Sequence, residues 1–261
     1  MRQDYADKYD SLEQNHWWFR ARLQILRMKA QEIKATNKSK PLRILNIGVA
    51  SGASSEMLTT IGEVTSLEFD IALFDKLKIN KPHLVCVQGS IENLPFEDDA
   101  FDLVCAFDVI EHVADDKKAA EEMSRVLKST GQVFVTVPAF MFLWSNHDRI
   151  NHHFRRYTRR GLLQVLSPFT DFQTTYFNFI LFFLIAPIRI LQERIFNHKR
   201  ETISSDFEKL PNPAFQFILY NIFVSEKLLL RIFRVLPLGV SLMLIANNSS
   251  KDLKNRVINH N

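Results

Sequence analysis

The stretch Arg43-Ile44-Leu45-Asn46-Ile47-Gly48-Val49-Ala50-Ser51-Gly52 decides the fold of this chain. Its first five residues form a short, mostly apolar run, which is typical of a buried strand. Small residues alternate through the turn that follows, and residues 51–60 have the pattern of a helix. Small turn residues let the backbone approach a ligand, and the start of a helix offers free N–H groups. The stretch therefore predicts a strand, a ligand-binding turn and a helix.

Six further runs of strand length follow, and in the first half of the chain helical segments alternate with them, among them a helix predicted over 115–128. Such short, nearly continuous apolar strands indicate a parallel sheet that is covered on both faces. We therefore predict an α/β fold with a mostly parallel, seven-stranded sheet and helices on both faces. Ligands bind these sheets at the carboxyl ends of the strands, so functional residues are expected just after Ile47, Glu68, Val87, Phe107 and Val137. The predicted strands are residues 43–47, 63–68, 84–87, 101–107, 132–137, 172–177 and 241–246.

Composition narrows the range of functions. The 261 residues include 33 Lys and Arg against 29 Asp and Glu, a net charge of +4, so no nucleic-acid partner is predicted. The only cysteines, Cys86 and Cys105, lie in apolar runs and cannot build a Cys-based zinc site. No metal is predicted, because the spacing of His112 from Asp115 and Asp116 does not suit a shared ion. The first residues carry no apolar leader, so a cytoplasmic protein is expected.

The second predicted strand ends at an acidic residue, Glu68. A carboxylate at this place is well positioned to accept hydrogen bonds from the hydroxyl groups of a ribose. Together with the small-residue turn at 48–52, it predicts a ligand that contains adenosine. The alternative is an ordinary solvated carboxylate at a strand end.

Three more segments, in this order and spacing, resemble the class I S-adenosylmethionine-dependent methyltransferases, in particular their small-molecule, Methyltransferase-11-like branch. The segments are Gln88-Gly89-Ser90-Ile91-Glu92-Asn93-Leu94-Pro95-Phe96, Phe101-Asp102-Leu103-Val104 and Phe107-Asp108-Val109-Ile110-Glu111-His112-Val113. The resemblance covers residues 42–140, and flanking segments at 16–22 and 144–158 are similar to a bacterial subgroup found near glycan and secondary-metabolite genes. It implies a Rossmann-like fold, S-adenosyl-L-methionine as the cofactor, and methyl transfer to an oxygen or nitrogen of a small-molecule acceptor.

Carried over residue by residue, the resemblance also implies a cofactor site. The first loop would line the methionine part, and the acid after the second strand would bind the ribose. The segment after the third strand would meet the adenine, and the residue after the fourth would face the sulfonium. Two residues of the leading helix would close over the cofactor, the arginine as a partner for its carboxylate. The resemblance thus assigns Gly48, Ala50 and Gly52 to the methionine part, Glu68 to the ribose, Ser90 and Ile91 to the adenine, Asp108 to the sulfonium, and Trp18 and Arg20 to the closing helix.

The chain departs from the family pattern at three positions of the implied cofactor site. Asn46 stands where an acidic residue is usual, Ala50 replaces the central glycine, and Ser90 stands where aspartate commonly binds the adenine amine. Asn and Ser still form hydrogen bonds, but each lost charge-assisted bond costs on the order of 1 kcal/mol. A non-catalytic binding or regulatory subunit that kept the fold is therefore the alternative to an enzyme.

The catalytic residue is not dictated by the fold, since an amine or phenolate acceptor needs only placement, whereas other oxygen acceptors need a general base. His112 follows the fourth strand and His147 follows the fifth, so these two are the predicted bases. The alternative for His112 is a structural role, in which it bonds to backbone and shapes its loop. An effect of Asp148 on His147 carries little weight, because adjacent side chains rarely face each other.

The densest cationic run of the chain lies between residues 149 and 160. It predicts a rim that binds a phosphate or carboxylate on the acceptor. Salt bridges within the protein are the alternative of equal weight. The predicted acceptor-binding residues are His152, Arg155, Arg156 and Tyr157.

The late apolar helices, predicted at 179–196 and 214–235, are expected to wall a pocket for an acceptor with an apolar part. The apolar run at 179–186 is shorter than the roughly 20 residues of a membrane span. The alternatives are contact with the inner face of the membrane through 179–196, or a homodimer interface. The predicted segments are a helical segment closing over the cofactor (1–40), the cofactor-binding core (41–178), an apolar helical cap or insertion (179–236), and the last strand with a polar tail (237–261).

Overall fold

The computed structural model describes residues 12–36, 41–195 and 212–249. Within these ranges, one sheet contains the strands β1 (Leu42–Ile47), β2 (Gly62–Glu68), β3 (Val85–Gln88), β4 (Phe101–Phe107), β5 (Leu127–Pro138), β6 (Phe169–Phe177) and β7 (Ser241–Asn248). Their order is β3-β2-β1-β4-β5-β7-β6. β1 to β5 pair in parallel, and β7 lies antiparallel between β5 and β6. The predicted mostly parallel, seven-stranded sheet is confirmed.

Helices cover both faces of this sheet, as predicted. They are α1 (Trp17–Thr36), α2 (Ala53–Leu58), α3 (Ile71–Asn80), α4 (Asp116–Val126), α5 (Asn146–Ile150), α6 (Arg159–Val165), α7 (Phe179–Ile195) and α8 (Pro213–Phe233). Successive residues of a strand point to opposite faces. In β1, Leu45 and Ile47 join the buried cluster that contains Met123 of α4 and Leu162 of α6. Ile44 joins the cluster built with α1, α2 and α8 on the other face.

The two late helices pack against the body of the domain. The Asn212 side chain caps α8 by accepting a hydrogen bond from its first turn. Phe223 of α8 is fully buried, and its ring centre lies 6.4 Å from that of Phe177 at the end of β6. Glu226, also on α8, accepts a hydrogen bond of 2.8 Å from the Ile180 N–H at the start of α7. None of the helices in the described ranges is both long and apolar enough to cross a bilayer.

Two elements differ from the sequence prediction. A helix was expected over 115–128, but α4 ends at Val126 and β5 begins at Leu127, which pairs with Phe101 of β4. Sheet pairing therefore overrides helical preference at this boundary. Helix α3 was not predicted, although Asp70 caps it by accepting hydrogen bonds from two backbone N–H groups. Of the predicted terminal segments, residues 1–11 and 250–261 lie outside the described residues.

Candidate functional site

The loop that follows β1 is shaped for close contact with its surroundings. Gly48 and Gly52 have left-handed φ values of 68° and 82°, and Ala50 between them has a φ of 45°. The Gly48 N–H donates to the Leu67 carbonyl of β2 at 2.8 Å. A Cβ atom at Gly48 would lie 2.6 Å from a methyl group of Val109, which follows β4. Glycine therefore lets two loops approach each other at the carboxyl ends of the strands.

Asn46, at which the family usually has an acid, supports this loop from below. Its side chain is fully buried, and its Nδ2 donates to the hydroxyls of Ser54 at 2.8 Å and Ser55 at 2.9 Å. The Ser55 hydroxyl also lies 2.7 Å from that of Ser66 in β2. The amide thus ties β1 to the start of α2, and its predicted contact with a cofactor stays a prediction.

Glu68 lies at the carboxyl end of β2, where a ribose partner was predicted. Its Oε2 accepts a hydrogen bond of 2.8 Å from the Ala50 N–H, and its Oε1 accepts one of 3.0 Å from the Asp70 N–H. Burial raises the pKa of Glu68, and the hydrogen bonds from the backbone oppose that rise. A carboxylate has about four lone-pair sites, so acceptor capacity remains for both hydroxyls of a ribose. The first loop and Glu68 therefore fit an adenosine ligand.

The segment after β3 joins the same edge of the sheet. The Gly89 N–H donates to the Glu68 carbonyl at 3.0 Å. The Ser90 hydroxyl accepts a hydrogen bond of 3.2 Å from the Glu92 N–H, and Ile91 is buried in the core. A hydroxyl that accepts one bond can still donate its proton. Ser90 therefore keeps a donor for an adenine nitrogen, and its role stays a prediction.

Asp108, directly after β4, belongs to a charged group that the sequence analysis did not anticipate in full. Arg22 of α1 is buried, and its Nη2 lies 2.8 Å from Asp108 Oδ2 and 3.0 Å from the hydroxyl of Thr136. The Thr136 hydroxyl in turn donates to Asp108 Oδ1 at 3.1 Å. Arg22 thus brings a positive charge from the leading helix to the ends of β4 and β5.

The leading segment lies beside the first loop. Glu13 accepts a hydrogen bond from the Ser51 hydroxyl. Trp18 packs beneath the guanidinium group of Arg22, at 5.6 Å from its ring centre. Arg20 is exposed and lies 5.2 Å from the ring centre of Tyr220 on α8. Of these two arginines on α1, Arg22 therefore belongs to the charged group with Asp108, whereas Arg20 contacts Tyr220 of α8. Closure of Trp18 and Arg20 over a cofactor stays a prediction.

The loop after β4 contains the predicted base His112 next to Glu111. His112 Nδ1 lies 2.9 Å from the Asn151 carbonyl, to which it donates, because a carbonyl only accepts. Burial lowers the pKa of His112 to about 3, and the neighbouring His153 contributes to the shift. The ring is therefore neutral at pH 7, with its lone pair on Nε2. Burial and the charge of Asp108 raise the pKa of Glu111 well above its usual value.

The second predicted base, His147, lies in α5 beside a buried ionic cluster. Its Nδ1 lies 3.1 Å from the amide nitrogen of Asn151. The carboxylate of the neighbouring Asp148 lies 2.9 Å from His153 Nδ1 and 2.8 Å from Arg156 Nε. Although burial alone would raise the pKa of Asp148, hydrogen bonds from His153 and Arg156 lower it below the usual range. The low weight given to an effect of Asp148 on His147 is consistent with this geometry.

The predicted anion-binding rim is largely paired within the protein. Besides Arg156, Arg155 forms an ion pair of 2.6 Å with Asp116. The buried Tyr157 hydroxyl donates to the same carboxylate at 2.8 Å. His152 is exposed, with a φ of 56°. The geometry supports the salt-bridge alternative for both arginines, and binding of an anionic acceptor stays a prediction.

The structure brings three residues to this edge in addition to the predicted site residues: Arg22, Glu111 and His153. A signal was present for Arg22, since it lies four residues after Trp18 and between the buried Ala21 and Ile25. Glu111 was read only as part of a family motif. Nothing local indicated that His153 would meet His112, because the loops after β4 and β5 come together only when the sheet forms.

Comparison with known sequences finds methyltransferases that are similar to part of this chain. Residues 45–135 match the family model described as a methyltransferase domain. A demethylmenaquinone methyltransferase of Paenarthrobacter aurescens is 29% identical over 142 residues, which are 52% of this chain and 52% of that protein. A probable S-adenosylmethionine-dependent methyltransferase of Mycobacterium tuberculosis is 24% identical over 128 residues, 49% of this chain and 44% of that protein. The chain spans about half the length of these curated relatives.

Comparison with solved structures agrees at the level of the fold. An S-adenosylmethionine-dependent methyltransferase of Thermotoga maritima matches with a TM-score of 0.58 and 16% identity, over 95% of this chain and all of that one. At such identity the likeness concerns the fold alone. The predicted Rossmann-like fold is confirmed, and the matched residues contain the first loop, Glu68 and Asp108.

Proposed function

We propose that this chain transfers the methyl group of S-adenosylmethionine to an oxygen or nitrogen of a small-molecule acceptor, because residues 45–135 match the model of a methyltransferase domain and relatives that share this part of the chain are methyltransferases. One observation carries the proposal: the buried carboxylate of Glu68 lies at the end of β2, bonded to the Ala50 N–H of the first loop. This arrangement fits the ribose of an adenosyl cofactor. When bound, the cofactor supplies an activated methyl group on its sulfonium.

The residues around this edge have distinct tasks in the proposal. Glu68 accepts the ribose hydroxyls with its remaining lone pairs, and Gly48 lets the loop backbone lie against the cofactor. Arg22 and Asp108 hold opposite charges 2.8 Å apart at the end of the site that takes the methionine carboxylate and amino groups. These fixed charges orient the cofactor, and orientation of the two reactants is the main contribution that methyl transfer needs from the protein.

The two predicted bases, His112 and His147, favour acceptors that do not need a strong general base. His112 is a weak base, because burial lowers its pKa to about 3. An amine or an acidic hydroxyl needs placement more than proton removal. His147 is half-buried and remains the second predicted base.

Titration of the full chain with S-adenosylhomocysteine tests the cofactor site. Glu68→Gln keeps the size of the side chain but removes its charge. Hydrogen bonds to charged groups contribute about 1.5–3 kcal/mol, so this change should weaken binding about 10- to 100-fold. Glu63→Gln is the matched control, since Glu63 lies on the same strand but is exposed. No binding by the parent chain would refute the proposal, and equal affinities for both variants would place the ribose elsewhere.

A second candidate, methylation of a lipid-linked acceptor at a membrane surface, rests on the late helices. Among the described residues, eight of their large apolar side chains are more than half exposed, and such patches mark interaction surfaces. Two exposed cations of the α8 end, Arg231 and Arg234, are suited to anionic headgroups. The eight side chains are Phe183, Leu184 and Leu191 on α7, and Phe217, Ile218, Leu228, Ile232 and Phe233 on α8.

Co-sedimentation with vesicles that contain anionic lipid tests this second candidate. The parent chain should pellet with the vesicles. Phe217→Ser should reduce the bound fraction, because the Phe217 side chain is 70% exposed on α8. Ile79→Ser is the control, since Ile79 is 77% exposed but lies on α3. A parent chain that stays in the supernatant contradicts membrane contact and leaves a small apolar acceptor.

A further inference from the structure

Glu111 is a buried acid whose carboxyl oxygens bond to no other residue in the described part of the chain. The residue has no exposed surface, and neither oxygen of its carboxyl group has a hydrogen-bond partner among the described residues. Leaving such a group unpaired is costly, so buried carboxylates are normally paired, hydrogen-bonded or bound to a metal ion. The position of Glu111, three residues after Asp108, places this group at the edge of the sheet where the cofactor and the acceptor are proposed to meet.

Two histidines next to Glu111 have their ring nitrogens arranged as in metal ligands. His112 Nδ1 donates to the Asn151 carbonyl at 2.9 Å, and His153 Nδ1 lies 2.9 Å from a carboxylate oxygen of Asp148. Metal-binding histidines typically donate one ring N–H to a carbonyl or carboxylate, which leaves the lone pair of the other nitrogen for the ion. A neutral ring that donates from Nδ1 in this way has its lone pair on Nε2.

The three side chains come together in space. One ligand atom from each of Glu111, His112 and His153 lies within 4.8 Å of the other two. Backbone hydrogen bonds fix the two loops that carry them, since the Phe154 N–H donates to the Glu111 carbonyl at 2.8 Å. Ligand atoms around one tetrahedral zinc ion lie about 3.3 Å apart, given bond lengths of about 2.0–2.1 Å, so side-chain rotation must close the set by at most about 1.5 Å.

We propose that Glu111, His112 and His153 bind one divalent transition-metal ion, such as Zn²⁺, at the acceptor side of the site. Two imidazoles and one carboxylate suit first-row transition metals, whereas Mg²⁺ and Ca²⁺ prefer oxygen ligands alone. Three protein ligands leave at least one coordination position open, as in catalytic zinc sites. Asp115 and Asp116, whose spacing from His112 does not suit a shared ion, are not part of this set.

The open position defines an acceptor class, and this step rests on the proposed methyl transfer. An acceptor hydroxyl that binds the ion loses its proton to solvent more readily, because the cation stabilises the oxyanion. The oxygen then forms the new O–C bond with the methyl carbon as the S–C bond of the sulfonium breaks, which leaves a neutral thioether. The site therefore suits a hydroxyl acceptor, and His112 acts in it as a ligand, not as a base.

Metal titration of the chelator-treated full chain tests the site. Calorimetry with ZnCl₂ should give one ion per chain. Glu111→Gln and His153→Gln should each weaken binding at least about 100-fold, since even changes behind the ligands cost about 10- to 100-fold. His83→Gln is the control, because His83 is exposed, lies outside the two loops of the proposed metal site, and pairs with Glu56 of α2. Circular dichroism of each variant shows that it is folded, and His112→Gln is a further ligand variant if one of the others is not.

Binding of Co²⁺ adds a spectroscopic measurement. Its visible absorption should report a site with two nitrogen ligands, and azide should shift the spectrum by entering the open position. No zinc binding by the parent chain, or affinities of the ligand variants within about threefold of the parent, would overturn the metal site. An unchanged Co²⁺ spectrum with azide would overturn the open position. S-adenosylhomocysteine titrations on the same samples separate this failure from failure of the proposed function, because they do not depend on the metal.

Discussion

Replacement of Gly48 by alanine should destabilise the protein through two separable effects. The φ of 68° at this position costs a residue with a Cβ atom about 1–2 kcal/mol. In addition, the new Cβ would lie 2.6 Å from Cγ2 and 3.3 Å from Cγ1 of Val109. Crowding of this kind typically costs about 1–3 kcal/mol. The free energy of unfolding should therefore fall by about 2–5 kcal/mol.

A double-mutant cycle separates the two effects. Val109→Ala removes both γ-methyl groups, so in that background Gly48→Ala should cost only its backbone strain. The two changes should thus couple by about 1–3 kcal/mol, measured by urea unfolding with tryptophan fluorescence. Affinity for S-adenosylhomocysteine should fall in Gly48→Ala and partly recover in the double variant, because the loop returns to its position. Coupling below about 0.5 kcal/mol would refute the close contact between the two loops.

Two further predictions concern buried charge. Arg22→Met should lower the free energy of unfolding by about 1.5–3 kcal/mol, because Asp108 loses a charged hydrogen-bond partner. The control variant Arg20→Met, at an exposed position, should lower the free energy of unfolding by less than about 1 kcal/mol. Equal losses in the two variants, measured by urea unfolding, would contradict the role of Arg22. Burial raises the pKa of Glu226, so the stability that its protonated form contributes is present below the ordinary pKa of about 4.3 and is lost as the pH rises through the folded-state value. Glu226→Gln keeps an acceptor for the Ile180 N–H. The free energy of unfolding of this variant should rise relative to that of the parent chain from pH 4 to pH 8. If urea unfolding gives the same difference between the two proteins at both pH values, the prediction is contradicted.

The sheet and the cofactor edge could be predicted because their signals are local. β1 and β4 are mostly apolar runs, as is the second half of β5. The residue that ends a parallel strand, such as Glu68 at the end of β2, lies at the ligand-binding edge. The missed helix α3 also had a local signal, since Asp70 is a strong N-cap residue. The end of α4 had none, because Leu127 becomes a strand residue only by pairing with Phe101 of β4.

The acceptor side of the site could not be predicted, because its contacts join residues that are distant in sequence. Arg155 pairs with Asp116 across 39 positions, and His112 bonds to the Asn151 carbonyl across a similar distance. Composition shows that the 149–160 segment is cationic, but it does not show where the compensating carboxylates lie. The sequence therefore does not distinguish an anion-binding rim from salt bridges within the protein, because the carboxylates reach this segment only when the loops after β4 and β5 lie side by side.

The charge balance of these loops decides what kind of group completes the site. The arginines expected to attract an anionic acceptor are already paired, Arg156 with Asp148 and Arg155 with Asp116. Within the described residues, no salt bridge reaches Glu111, whose carboxyl group is fully buried. An added anion would therefore meet a buried acid and neutralised arginines, whereas a metal cation could replace the proton that burial favours on the Glu111 carboxyl group. The metal ion proposed for Glu111, His112 and His153 would supply the positive charge that this end of the site lacks.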